Sequence, residues 1–235
     1  MKGKCVLLLG IAVLLSSCVV THTAVGPTQY DSPSFERDDV KEVRLNLTMG
    51  AGDLKLGSGT RKLMQGYFTY NVPSWKPEVH YDKMGDIGNL TIRQPGHTHS
   101  HFGSMKYEWD LRFAQDLPLN VKVEFGAGDA QLDLGSLTLR DVEVDMGVGK
   151  LMMDLRGNPK NNYNVRINGG VGEATVHLPG NVGVYAEASG GIGEISARGL
   201  KKMEGHWEND AYDSSPVKIH VNVQGGVGAI HLIGE

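Results

Sequence analysis

The chain has 235 residues, enough for one large β domain or two small ones, and its 40% hydrophobic content places it among globular rather than disordered proteins. A formal charge of −4, with no basic stripe and no RNA-binding signature, argues against a nucleic-acid partner. Glycine is the outlier, at 32 residues without the every-third-residue period of collagen, so the glycines mark many corners.

The N-terminus reads as an export signal. Lys2 and Lys4 precede the apolar run "CVLLLGIAVLL" (Cys5–Leu15), which is too short to serve as a stable membrane span. "LSSC" (Leu15–Cys18) follows, and small residues immediately before a cysteine resemble the bacterial lipobox. That resemblance implies that residues 1–17 are removed as a signal peptide and that the Cys18 thiol receives a diacylglycerol, making a membrane the first partner. The competing reading is an ordinary cleaved signal with an incidental cysteine. Cys5 leaves with the signal, so Cys18 is the only cysteine left and has no disulfide partner within the chain. Residues 18–38, rich in Thr, Pro, Ser and Asp and without periodicity, read as a lipidated tether. Val19, in place of Asp, points outward in lipoprotein sorting, to an outer membrane or cell surface.

From residue 39 to 235 the chain reads as one domain. Its first corner is Gly50-Ala51-Gly52, and a longer segment, 58–118, separates this from the next. "KLMQGYFTYNV", "EVHYDKM", "NLTIRQ" and "MKYEWDLRFA" read there as the strands of an inserted, aromatic-rich β-meander. The meander is expected to cap an exposed edge. The alternative is an aromatic platform for a sugar or peptide, built on Trp75 and Trp109. Within it, "GHTHSH" (Gly96–His101) alternates His97, His99 and His101, which would share one face of a strand as candidate Zn²⁺ or Cu²⁺ ligands. The flanking Pro95-Gly96 and Gly103-Ser104 favour a solvated loop tip, so no metal or other cofactor is expected.

Five further Gly-x-Gly corners follow, at Gly126/Gly128, Gly147/Gly149, Gly170/Gly172, Gly191/Gly193 and Gly226/Gly228. The last is set apart by "KKMEGHWENDAYDSSP" (201–216). Three residues before the first glycine stand Leu47, Val123, Val144, Ile167, Ala188 and Val223, and five before it Leu45, Val121, Val142, Val165, Ala186 and Val221. Polar residues stand between them, which is strand alternation. Two residues after the second glycine come Leu54, Ala130, Leu151, Ala174, Ile195 and Ile230. Each copy is therefore strand, glycine corner, strand, and stacked copies share one apolar column. The small residue between the glycines is expected to point inward. With coils stacked in chain order, Lys150 would sit between Asp129 and Glu173 in an ion-pair ladder. A phosphate-binding loop is disfavoured, because no helix follows any of the corners.

These aliphatic-x-aliphatic-x-x-Gly-Ala/Val-Gly-Asp/Glu columns resemble the bacterial toast-rack β-solenoid domains, found in the C-terminal region of LiaF-type cell-envelope proteins and in related adhesin heads. "NVPSWKPEV", "YEWDLRF" and "NDAYDSSP" join the resemblance, which spans roughly residues 38–235. It implies an all-β, glycine-cornered, single-domain β-solenoid with an inserted meander. It carries over no enzymatic activity, and no Ser-His-Asp set or nucleophile elbow stands out. The expected role is a non-catalytic structural or interaction one at the envelope: a surface scaffold, adhesin-like protein or envelope-stress accessory, with an envelope protein or glycan as further partner. A glycan- or peptide-binding module and, third, a carbohydrate-active enzyme are the rival readings.

Overall fold

The computed structural model describes residues 25–96 and 105–235. In chain order, β1 (Gln29–Asp31) and β2 (Ser34–Phe35) precede the first long strand, β3 (Glu42–Ser58). Then come β4 (Met64–Tyr70), β5 (Glu78–Met84), β6 (Ile87–Arg93) and β7 (Tyr107–Phe113). Four long strands follow: β8 (Leu119–Asp133), β9 (Leu139–Asp154), β10 (Tyr163–Leu178) and β11 (Gly183–Arg198). The short β12 (Lys201–Lys202) and β13 (Trp207–Glu208) lead to the last long strand, β14 (Lys218–Gly234).

Every long strand carries one glycine corner, and the corner changes which side chains are buried. In β3, Val43, Leu45, Leu47 and Met49 are buried before it and Leu54 and Leu56 after it. The buried set moves from odd to even positions across residues 50–53. An unbroken strand keeps one parity, so this switch marks the turn, and both halves feed one hydrophobic core. Leu134, Leu137 and Leu155, in the returns between coils, are buried against the same core. Fully burying such an aliphatic contributes about 1.5–3 kcal/mol over leaving it exposed. Because most of that burial is against neighbouring coils, a single coil could not stand alone.

The long strands pair in parallel and in register, glycine against glycine. Gly128 has a φ of 128°, and a Cβ there would overlap the carbonyl oxygen of Gly52 in the adjacent coil. The same overlap recurs at Gly149 against Gly128, Gly172 against Gly149, Gly228 against Gly172 and Gly193 against Gly228. In the first-glycine column, a Cβ on Gly126 would meet Gly50, one on Gly147 would meet Gly126, and one on Gly170 would meet Gly147. Gly226 stands likewise against Gly170, and Gly191 against Gly226. The corners are glycine because successive backbones approach too closely there for any side chain.

Two expectations are corrected by this stack. The spatial order is β3-β8-β9-β10-β14-β11, so the last coil in the chain lies between the two before it. Side-chain volume accounts for the exchange. At inward positions β11 offers Ala186, Ala188 and Ala197, where β14 offers Val221, Val223 and Leu232. The larger side chains take the place with neighbours on both sides, and the alanines stand at the end, where less apolar surface is left uncovered. The residue between the glycines points outward rather than inward: its column reads Ala51, Ala127, Val148, Val171, Val227, Ile192 in spatial order, and the last four are exposed.

At the other end β3 is covered on both halves. Its first half pairs with β6 and its second with β7, while β5 extends β6 and β4 extends β7. The outer edge of β4 is in turn covered by β1 and β2, which corrects the reading of residues 25–38 as tether. Tyr70 donates to Asp31 across this pairing at 2.7 Å, and the Gly26 amide donates to the Asn71 carbonyl at 2.7 Å. An exposed strand edge invites pairing with other chains, and at this end two short strands and a meander occupy it.

Candidate functional site

The proposed aromatic platform is not on the surface. Trp75 and Trp109 are 3% and 1% exposed, so no ligand can stack on them. Tyr107 lies between the two, edge-on to Trp75 at 5.5 Å and tilted against Trp109 at 5.6 Å, and its hydroxyl donates to the Trp75 carbonyl at 2.8 Å. Burial pushes the Tyr107 hydroxyl well above its ordinary range. These rings are the core of the cap: the alternation of β7 buries Tyr107 and Trp109, and the short 3-10 turn Pro73–Trp75 brings Trp75 in beside them. Cys18, His97, His99 and His101 lie outside the described residues. Among the described residues no three His, Cys, Asp or Glu side chains gather to hold a metal.

What the surface offers is concentrated at the corner and at the β11 end. Val148, Val171, Val227 and Ile192 stand on consecutive coils, from 46% exposed at Val227 to 73% at Ile192. They form an apolar ridge along the corner, one side chain per coil, held by ladders that fix their spacing at about 4.8 Å. Isolated exposed aliphatics are ordinary, but a contiguous line of them is a feature of contact surfaces. Beneath the ridge the last coils leave an apolar gap of about 50 Å³, lined by Met146, Ile167, Val223, Ile195 and Ile230 among others.

The outer face beyond the corner carries a polar row, Glu108, Asp53, Asp129, Lys150, Glu173, Ala229 and Glu194. The expected Asp129–Lys150–Glu173 ladder does not form, since Lys150 makes no ion pair among the described residues. The ladder lies on the other half of the coils, where Lys122 is 3.4 Å from both Glu124 and Glu143, and Arg166 is 3.5 Å from Glu143. Partial burial, then the neighbouring charges of Asp129 and Glu108, push the Asp53 carboxyl above its usual range.

The exchanged strand order also brings together residues that chain order separates. Ser196 Oγ lies 2.7 Å from Nδ1 of His231, whose Nε2 is 3.9 Å from Glu173 Oε1. The first contact is a hydrogen bond and the second is too long to be one, so these three do not make a proton relay. The spacing of the corners does not reveal that His231 stands between Thr175 and Ser196, because only the exchange of β14 and β11 puts it there.

On the half before the corner, the same end gathers aromatic rings. Tyr185 stacks on His206 at 4.3 Å and on His220 at 5.3 Å, and Tyr212 stands 6.0 Å away. The Tyr185 hydroxyl donates to Glu187 at 2.9 Å and Asn222 donates to its other oxygen at 2.8 Å, holding the Glu187 carboxyl below the usual range. Asn209 is buried beside them. It accepts from the Val184 amide at 2.9 Å and donates to the Val182 and Pro179 carbonyls at 2.7 and 3.1 Å. With β13, which pairs Glu208 and Trp207 to Tyr185 and Ala186, it closes the first half of the β11 edge. The outer side of the second half, from Gly190 to Arg198, pairs with no strand among the described residues.

A family model described as the N-terminal domain of toast_rack, DUF2154, matches residues 24–177. A solved structure described as a "putative cell adhesion protein", from Clostridium sporogenes ATCC 15579, is 35% identical with a TM-score of 0.86, covering 89% of this chain and 100% of that one. A "putative adhesin" from Bacteroides fragilis NCTC 9343 is 11% identical with a TM-score of 0.29, covering 86% of this chain and 97% of that one. No curated protein matches the chain.

Proposed function

This chain belongs to the toast-rack family, and from that premise we propose that it is a non-catalytic interaction protein of a bacterial cell envelope, exported and held to a membrane by lipid on Cys18. In this reading residues 1–17 are the signal peptide, the segment from Cys18 to the first described residue is the tether, and the coil stack is the presented head. The observation that carries the interaction role is the ridge of Val148, Val171, Val227 and Ile192, four exposed aliphatics on a rigid scaffold. A likeness of 35% over nearly the whole chain to the Clostridium sporogenes structure described as a "putative cell adhesion protein" supports adhesion as the kind of interaction.

Retention of expressing cells on a surface under shear tests this. Cells carrying the full chain should be retained, and Cys18→Ala should release the protein from membranes and abolish retention. Val171→Asp with Val227→Asp should leave the protein on the membrane with an unchanged circular-dichroism spectrum and cut retention several-fold. Continued partitioning of Cys18→Ala into the detergent phase would contradict the anchor, and full retention with both ridge aspartates would contradict the contact surface.

A further inference from the structure

We propose that the uncovered second half of β11 is a self-association edge, and that a second copy of this chain pairs with it antiparallel about a two-fold axis through Ser196. The inference is independent of the lipid anchor and of what the ridge binds.

Three observations carry it. The first is the asymmetry of the stack. Strand edges in natural proteins are covered, twisted away or marked with lysine or proline. The β3 edge is covered by β6 from Glu42 to Thr48 and by β7 from Asp53 to Ser58, and the Gln94 side chain accepts from the Gly50 and Ala51 amides at the corner between them. The β11 edge is covered at Val184, Tyr185 and Ala186 and then left open, with no lysine or proline from Gly190 to Arg198. This segment keeps unbroken register with β14 from Ile192 to Arg198, so it is extended and ready to pair on its outer side.

The second is charge. The charged residues on the open edge are Glu194 and Arg198, and neither makes an ion pair among the described residues. An antiparallel pair centred on Ser196 sets Glu194 of each copy opposite Arg198 of the other, giving two reciprocal ion pairs. Moving the centre to residue 194 or 198 would instead place like charges opposite each other, which is destabilising. The sequence of this edge is self-complementary in one register.

The third is the apolar side. Ile195 and Ala197 pair with Ile230 and Leu232 on the core face, yet Ile195 is 38% exposed because nothing stands beyond β11. In the same register Ile195 faces Ala197 of the second copy, so the apolar column continues across the axis. The opposite end of each molecule is closed by its cap, so pairing stops at two copies, as a two-fold interface requires.

Sedimentation equilibrium on the full chain carrying Cys5→Ser and Cys18→Ser tests the proposal. A dimer is expected in the micromolar range. Glu194→Arg should raise its dissociation constant about tenfold or more, as should Arg198→Glu, because each puts like charges together twice. The double exchange Glu194→Arg with Arg198→Glu should restore the dimer. Ser196→Cys should form an intermolecular disulfide on mild oxidation, since paired antiparallel residues have Cα atoms about 4.5–5.5 Å apart, within disulfide reach. Thr175→Cys, on an interior strand, should not. A monomer throughout the concentration series, a double exchange that fails to restore association, or a dimer in which Ser196→Cys does not crosslink would each overturn the proposal.

Discussion

The two ends of the coil stack meet the same problem with opposite solutions. At β3 the exposed edge is built over: β6 and β7 pair with both halves, β1 and β2 finish β4, and Phe68, Trp75, Tyr107, Trp109 and Phe113 fill the space behind them. At β11 little is added. The inward residues shrink to Ala186, Ala188 and Ala197, Asn209 and β13 cover one half, and the other half is left to solvent. A capped end is sealed by bulk and commits the molecule to one shape there. A trimmed end lowers the cost of exposure and keeps an edge free for a partner. The repeat between them is uniform, so the structural differences along the stack lie at its two ends.

Paired substitutions sharpen the contrast. Trp109→Ala removes a buried ring of the cap and should cost about 3–5 kcal/mol. For a chain of this size that lowers Tm by roughly 10 °C. Trp207→Ala, at the half-covered end, should cost about 1–2 kcal/mol, and equal losses in thermal melts would erase the distinction between the ends. Next in size is Asn209→Ala, which strands the Val184 amide and the Val182 and Pro179 carbonyls and should cost about 1–3 kcal/mol. If the β11 edge were protected by something other than this side chain, hydrogen exchange at Val184 would stay slow in the variant.

Overpacking gives a finer comparison. Ala130 is buried inside the stack and Ala197 only partly so at its end. Ala130→Leu should cost about 1–3 kcal/mol, while Ala197→Leu should stay within about 0.5 kcal/mol, both read from urea midpoints. The smallest expected effect is electrostatic. The raised Asp53 carboxyl means that the fold favours its protonated form. That advantage is complete below the ordinary carboxylate range and is lost as pH rises through the raised value. Asp53→Asn should therefore raise Tm by about 1–2 °C at neutral pH and by nothing in acid.

Much of this was legible in the sequence, because parallel in-register coils write their columns directly into residue spacing. The six glycine corners and the inward aliphatic columns needed only alignment on Gly-x-Gly. Other features were hidden for physical reasons. The order of the last two coils leaves no trace in spacing, since β10, β14 and β11 share one pattern and any parallel neighbour satisfies it. The alanines of β11 were the available sign. Strands β1 and β2 are 3 and 2 residues long, too short for periodicity to register. The direction of the corner residue follows from the parity switch between Met49 and Leu54, which small aliphatic character at position 51 does not reveal. The meander could be read as cap or platform, because aromatic residues at strand spacing serve either until burial is known.

The account depends most on β14 lying between β10 and β11, which makes β11 the open edge. Cysteine pairs in the full chain with Cys5→Ser and Cys18→Ser test it directly. Thr175 and His231 are register partners, as are His231 and Ser196, whereas Thr175 and Ser196 lie two strands apart. Under mild oxidation Thr175→Cys with His231→Cys should form an intramolecular disulfide, and Thr175→Cys with Ser196→Cys should not. The reverse result would mean that the coils stack in chain order and that β14, not β11, is the free edge.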